Sequence, residues 1–153
     1  MLMRQGFLKL AFADYEYGTG ELFAYAETGG FAGRASAYFD IFRIEEFANA
    51  LSEYPLPLRQ RCSLASGFGP RAPEPLHEEH LSIEVYPIDS TGHIGVQVRM
   101  ATPLWNDTRP DSQRTAKLEL LTTYEPLGRF SRDLLAVIKG TAEEAVLDEE
   151  MIP

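Results

Sequence analysis

The sequence has little of what usually identifies a function from residues alone. Cys62 is its only cysteine, so an internal disulfide is excluded. No apolar run approaches the roughly 20 residues that cross a bilayer, and we expect no membrane insertion. The first residues are not followed by the apolar stretch and cleavage site of a secretory signal. From these absences we predict a cytoplasmic protein.

Positive charge is also scarce. The chain has 14 Lys and Arg residues against 23 Asp and Glu residues, which gives a net charge of −9. A field of this sign repels phosphate backbones, and no basic stripe with interleaved aromatics opposes it, so we expect no nucleic-acid binding. Acidity favours a basic protein partner, although it is also a common route to solubility.

The length and composition are those of an ordinary globular domain. The 153 residues are 44% hydrophobic and 11% aromatic, and a chain of this size buries roughly two thirds of its unfolded surface. We expect one domain over residues 1–153, with an acidic tail at about 148–153 that frays. No internal repeat is visible, and nothing indicates an oligomeric state.

The clearest pattern predicts a hairpin between Leu81 and Ala101. Apolar residues alternate with polar ones on both sides of a turn that contains Asp89 and Gly92. A period of two gives each strand one apolar face, and we expect that face to lie in the core. The expected core positions are Leu81, Ile83, Val85, Ile94, Val96, Val98 and Met100.

Five further runs have strand character. Alternation of apolar and polar residues, or a short apolar run bounded by glycine or proline, predicts strands there. The first three follow one another directly, separated only by glycine-containing turns. The five runs cover residues 8–12, 21–28, 31–39, 62–65 and 116–120.

Other segments have the signals of helices. A stripe over Ile44–Leu51 follows the third strand, and a second stripe over Phe130–Ile138 precedes Gly140. A capping-box pattern predicts a short last helix over about Thr141–Leu147. Together these elements predict an α+β fold. It consists of a twisted, largely antiparallel sheet of six to eight strands, with one helix after strand 3 and a C-terminal helix.

No catalytic or cofactor-binding motif stands out. His77 and His80 are three residues apart beside a proline-rich stretch, whereas the helical zinc motif needs a spacing of four. His93 has no evident nucleophile or orienting acid, and an isolated histidine is usually structural. We therefore expect no metal site, no cofactor and no catalytic residue, and we favour a protein that is not an enzyme.

The most suggestive surface feature is an acidic and aromatic strip at the first predicted hairpin. If Leu22, Ala24 and Ala26 face the core, the residues between them face solvent beside the first turn. The large volumes of Phe23 and Tyr25 favour the opposite orientation equally well, so the buried face stays open. The candidate partner-binding residues, which we call the acidic strip, are Tyr15, Glu16, Tyr17, Glu21, Tyr25 and Glu27.

The order of several core segments resembles that of small uncharacterised bacterial domains. The segments are Gly30–Gly33, Phe47–Leu51 and Gly92–Val98, with Phe130–Leu135 on the closing helix. The similarity runs in order over about residues 7–140, and some of those domains are described as immunity proteins of polymorphic toxin systems. The resemblance implies an α+β protein without a catalytic site, and it carries over no functional residue.

The resulting hypothesis is an interaction protein, an immunity-type inhibitor that binds a basic protein through the acidic strip. The alternative is a small-molecule-binding or enzymatic domain with a pocket between the sheet and a helix. His93 and Trp105 would lie at the mouth of that pocket, although for Trp105 itself we favour a place over the core. A flat acidic face favours the first hypothesis, and a sizeable cavity with convergent polar groups favours the second.

Overall fold

The computed structural model describes residues 5–70 and 74–150, and it confirms the predicted α+β class. Eight strands form two antiparallel sheets of four, in the orders β3-β2-β1-β8 and β4-β5-β6-β7. One helix follows the third strand and one lies near the C-terminus. The elements are β1 (Phe7–Asp14), β2 (Thr19–Thr28), β3 (Phe31–Asp40), α1 (Ile41–Leu51), β4 (Cys62–Phe68), β5 (Glu78–Pro87), β6 (His93–Ala101), β7 (Thr115–Thr123), α2 (Tyr124–Lys139) and β8 (Ala145–Asp148).

The eight strands divide between two sheets because the chain changes sheet after each helix. Three antiparallel strands, a helix and a fourth strand follow one another twice along the chain. In both cases the fourth strand joins the other set of three, since β4 pairs with β5 and β8 pairs with β1. Each sheet therefore contains strands from both halves of the chain, a repeat of element order that the sequence itself does not display.

The core lies between the sheets and under the helices. All seven hairpin positions predicted to be apolar core are buried, which confirms the register of β5 and β6. Strand β3 lies against β5, β6 and β7 of the second sheet. Gly33 permits this close approach, because a Cβ atom there would lie 2.8 Å from both the Ala116 Cβ and the Met100 Cε.

The two helices pack against each other and cover the core from one side. The predicted stripe of α1 is buried, and α2 buries its own stripe around Leu134. Ser131 on α2 donates a hydrogen bond to the carbonyl of Ala48 on α1, at 2.5 Å. Gly140 ends α2 with a φ of 81°, which a glycine adopts without a Cβ penalty. Among the described residues, no helix is both long and apolar enough to span a bilayer.

The C-terminal segment differs from its prediction. The helix expected over about Thr141–Leu147 is wrong, because Ala145 and Leu147 alternate with more exposed residues and pair with β1 as β8. Beyond β8, the Glu149 amide donates to the Gly6 carbonyl and its carboxylate accepts from the Leu121 amide, at 2.8 and 3.1 Å. The tail predicted to fray is hydrogen-bonded through residue 150. Residues 151–153 lie outside the described residues.

Candidate interaction surface and cavity on the first sheet

Strand β2 buries the face that carries Leu22, Ala24 and Ala26, as the acidic-strip hypothesis requires. Leu22 and Ala26 are fully buried, whereas Phe23 is 42% exposed on the opposite face. The alternation follows from the pleat, which directs successive side chains to opposite sides of a sheet. The orientation that the sequence left open is thereby settled, and Glu21, Tyr25 and their neighbours lie on the outer face of the first sheet.

Glu21 organises one end of this outer face. Its carboxylate accepts a hydrogen bond from the Tyr15 hydroxyl at 2.9 Å and a second from the Ser36 hydroxyl at 2.6 Å. The hydrogen bond to Glu21 raises the pKa of the Tyr15 phenol, because an adjacent carboxylate disfavours the phenolate. The Tyr15 ring lies 6.1 Å from the exposed ring of Tyr38 on β3. Glu21 therefore holds Tyr15 in one orientation at the surface.

Tyr25 is fixed at the centre of the same face. Its hydroxyl donates to the Glu27 carboxylate at 3.0 Å, and its ring meets the Phe7 ring edge-on, with centroids 5.0 Å apart. The Arg34 guanidinium carbon lies 4.2 Å from the centre of the Tyr25 ring, a cation–π contact. Two aromatic residues of the acidic strip, Tyr15 and Tyr25, thus each have a carboxylate that positions them.

The turn between β1 and β2 carries the remaining residues of the acidic strip. Glu16 is exposed, and its carbonyl accepts from the Thr19 amide and hydroxyl. Tyr17 is 97% exposed and has a φ of 59°. A tyrosine in the left-handed region costs conformational energy that nothing in the local packing offsets, since almost none of the side chain is buried.

A large cavity lined by described residues lies over the same face. It has a volume of about 630 Å³ and is open to solvent. Its walls include Lys9 of β1, Tyr25 of β2 and Arg34 of β3, which the strand register places in one row across the sheet. Thr102 and Glu144 lie at its margins. The cavity is therefore not between a sheet and a helix, where the alternative hypothesis placed its pocket.

His93 is bound within its own hairpin turn. Its Nδ1 lies 2.6 Å from the Asp89 carboxylate, which also accepts from the Thr91 amide and hydroxyl. These hydrogen bonds, that of His93 above all, hold the pKa of Asp89 well below its usual range. His93 does not line the large cavity, and the contacts at this position are those of a turn.

Trp105 does not cover the core as we expected. It is 61% exposed, and its ring lies 5.1 Å from that of Phe68. The Phe68 ring also contacts His80, which is buried and hydrogen-bonded to Glu78, and Glu78 also accepts from the Leu104 amide at 3.0 Å. Trp105 does not line the large cavity either.

Metal-binding geometry is not found in the part of the chain that the structure describes. No group of three or more His, Cys, Asp or Glu side chains lies close enough there to hold a metal ion. His80 is buried on β5 beside a register shift between Ser66 and Gly67, and its partner is a carboxylate. Burial raises the pKa of the Cys62 thiol, which disfavours the nucleophilic thiolate.

The outer face of the second sheet has charges that pair with one another. Arg61 lies 2.8 Å from Glu84, and Arg99 lies 3.5 Å from the same carboxylate. Tyr86 donates a hydrogen bond to Glu119, and burial together with this carboxylate raises the pKa of Tyr86 to about 12. Each of these cations has an acidic neighbour within the face itself.

Sequence reasoning missed the residues that other strands bring to the site. Lys9, Arg34, Ser36 and Tyr38 complete the outer face, although they lie on β1 and β3 rather than β2. The signal was available in the alternation of both runs, which predicts their faces. The pairing register that aligns Lys9 and Arg34 with Tyr25 could not be obtained from alternation alone.

Comparison with protein-family models, with curated proteins and with solved structures finds no match to this chain. The interpretation of the site therefore depends on its own geometry.

Proposed function

We propose that this protein is a non-enzymatic interaction protein that binds a basic protein partner through the acidic strip. The observation that carries the proposal is the pairing of outer-face aromatic rings with carboxylates, the exposed Tyr15 with Glu21 and the half-buried Tyr25 with Glu27. Tyrosines that are already oriented lose little conformational entropy on binding, and they supply large contact areas. Such residues commonly dominate binding energy at interfaces.

The charge of the chain supports a basic partner. A net charge of −9 attracts a cationic protein over distances up to about the Debye length and raises its encounter rate. Glu27 lies on the outer face and Glu16 is exposed in the turn beside it, where they would meet basic side chains at the rim of an interface.

The conformation of Tyr17 also supports an interface. Tyr17 is 97% exposed and its φ is 59°. Its left-handed backbone therefore destabilises the folded monomer, and no burial of the side chain offsets this conformational cost. A ring in this position can be buried only by another molecule. Binding would recover the conformational cost through contact area.

The particular form that we propose is a cytoplasmic immunity-type inhibitor, because some of the domains that the chain resembles are described as immunity proteins. Such a protein neutralises a toxin by covering a functional surface. Co-expression of a captured basic toxin with this protein should restore growth of the host, and co-expression with a Tyr15→Ala and Tyr25→Ala variant should not.

The test begins with affinity capture from the native host, followed by surface-resonance kinetics on the captured protein. Glu16→Lys and Glu27→Lys should chiefly slow association, and the slowing should diminish at high salt. Tyr15→Ala and Tyr25→Ala should chiefly hasten dissociation, each with a loss of about 2 kcal/mol if its ring is an anchor.

Two variants outside the acidic strip are matched controls. Asp133→Lys on α2 makes the same charge change at another exposed position, and Tyr54→Ala removes another exposed ring. Both should bind like the wild type. An acidic captured partner, or equal binding by all strip and control variants, would refute the proposal.

A second candidate function is small-molecule binding. The cavity of about 630 Å³ over the first sheet favours it, because ligand sites typically have volumes of about 300–1,000 Å³. Its walls combine aromatic and small apolar residues with a few charged groups, such as Lys9 and Arg34.

A further inference from the structure

We infer that the cavity over the first sheet binds a small organic monocarboxylate with an apolar body. This inference rests on the second candidate function, small-molecule binding, and it goes further by naming the ligand class. It does not depend on the proposed protein partner.

Two cations face the cavity from opposite sides of one ring. Lys9 and Arg34 both pair in register with Tyr25, on the strands that flank β2. Neighbouring strands are about 4.8 Å apart, so the two Cα atoms are separated by roughly 10 Å. Side chains of this length can converge on a single anion between them.

These cations form no ion pair with another described residue. Within residues 5–70 and 74–150, neither Lys9 nor Arg34 lies within ion-pair distance of a carboxylate. Their recorded contacts are with aromatic faces, Lys9 over Phe7 at 5.0 Å and Arg34 over Tyr25 at 4.2 Å. A stacked guanidinium keeps its N–H donors in its plane, where they can bind a carboxylate. In a chain of net charge −9, two unpaired cations at one cavity indicate an anionic ligand.

The walls of the cavity indicate that the anion carries an apolar body. Phe23 and Tyr25 line the cavity, and the small side chains of Ala11 and Pro103 line it as well. A free inorganic anion would make no use of this surface. A ligand with an aromatic or aliphatic body would bury it and gain hydrophobic free energy.

Glu144 limits the charge of the ligand. It lines the same cavity, so the walls carry two positive groups and one negative group. The charges of these walls sum to +1, which a carboxylate monoanion neutralises and a phosphate dianion would overcompensate. The balance of charges therefore favours a ligand with one negative charge.

The test uses phenylpropionate and its uncharged amide, phenylpropionamide, titrated into the intact protein and followed by isothermal calorimetry and NMR shift mapping. The acid should bind at least roughly tenfold more tightly than the amide, because the amide cannot form charge-assisted hydrogen bonds. Arg34→Met and Lys9→Met should each weaken binding of the acid roughly tenfold, and Arg34→Lys should weaken it less.

Control variants distinguish binding at the cavity from a general effect of the net charge of the protein. Arg61→Met removes one cation from the second sheet and should leave binding unchanged, whereas Glu144→Gln should strengthen binding of the acid. Thermal melts of every variant exclude unfolding as the cause of a loss.

The possible results distinguish the inference from the candidate functions. If acid and amide bind the cavity equally, the inference of a carboxylate ligand is wrong, while small-molecule binding is retained. If neither binds, or if the shifts map elsewhere, both are wrong. If Glu144→Gln weakens binding of the acid, the monoanion assignment is wrong. The protein-partner proposal is tested separately by capture and kinetics.

Discussion

The outer faces of the two sheets differ in the partners of their cations, although a tyrosine donates to a carboxylate on both faces and Arg61 also stacks on Tyr86. On the second sheet, Arg61 and Arg99 pair with Glu84, so the charges of that face neutralise one another. On the first sheet, carboxylates orient tyrosines while Lys9 and Arg34 stack on rings beside an open cavity. Cations that already have acidic partners are less available to a ligand, so this difference favours the first sheet as the location of the proposed binding.

The largest expected effect separates inner from outer faces in both sheets. Ala24→Asp and Val96→Asp place a charge in the core and should abolish soluble expression, because the cost of several kcal/mol approaches a total stability of about 5–15 kcal/mol. Phe23→Asp and Gln97→Asp, one residue away on the outer faces, should leave a folded protein. Soluble yield and thermal melts measure this. Equal tolerance at adjacent positions would contradict the described registers.

A second prediction concerns alkaline pH and the second sheet. The pKa of Tyr86 is raised to about 12 in the folded protein, above its ordinary value of about 10. The unfolded chain therefore releases this proton first, so the contribution to stability is present below about pH 10 and is lost as pH rises towards 12. Urea unfolding at neutral and alkaline pH should show a smaller alkaline loss for Tyr86→Phe than for the wild type.

If Tyr86→Phe and the wild type lose the same unfolding free energy at alkaline pH, Tyr86 does not contribute to that loss. Tyr54→Phe is a matched control, because it removes the hydroxyl of another tyrosine that is 79% exposed. It should lose stability at high pH like the wild type.

A smaller effect should distinguish the cations of the two faces. Glu84→Gln on the second sheet removes the common partner of Arg61 and Arg99 and should cost about 0.5–1 kcal/mol in unfolding free energy. Arg34→Met on the first sheet breaks no ion pair among the described residues and should change stability by less than about 0.5 kcal/mol. Chemical denaturation provides both values. A larger loss of unfolding free energy for Arg34→Met than for Glu84→Gln would contradict the contrast between the two faces.

The smallest expected change in stability tests whether Tyr17, in a turn of the first sheet, belongs to the proposed interface. Tyr17→Gly relieves a left-handed conformation at an exposed turn and should stabilise the fold by about 0.5 kcal/mol, after the greater entropy of glycine in the unfolded chain is subtracted. The same change should weaken binding of the captured partner. A variant that is more stable and binds equally well would remove Tyr17 from the interface.

Much of the acidic strip could be predicted because it is local in sequence. Tyr15 and Glu21 flank one turn, and Tyr25 and Glu27 are two apart on one strand, so a hairpin brings each pair together. The rest could not be predicted. Ser36 and Arg34 reach the strip through the pairing of β2 with β3, and residue types do not specify that register.

The segment after Gly140 shows how tertiary structure overrides a local signal. Its Thr and Glu residues have the pattern of a helix start, which predicted a helix through about Leu147. Ala145 and Leu147 instead fill the core as β8, because strand β1 has an unpaired edge there. A weak capping preference of about 1 kcal/mol cannot compete with several new backbone hydrogen bonds and two buried side chains.

The sequence by itself determined which residues share a face and where most elements lie, because a period of two or of 3.6 follows directly from backbone geometry. It thereby determined the α+β class and the hairpin of β5 and β6, and it identified the candidate residues of the acidic strip without deciding which face of β2 is buried. Only the tertiary structure decided that β4 and β8 exchange sheets, and that Lys9, Tyr25 and Arg34 share one row. The physical reason is that strand partners and registers depend on contacts between residues far apart in the chain, which no local pattern encodes.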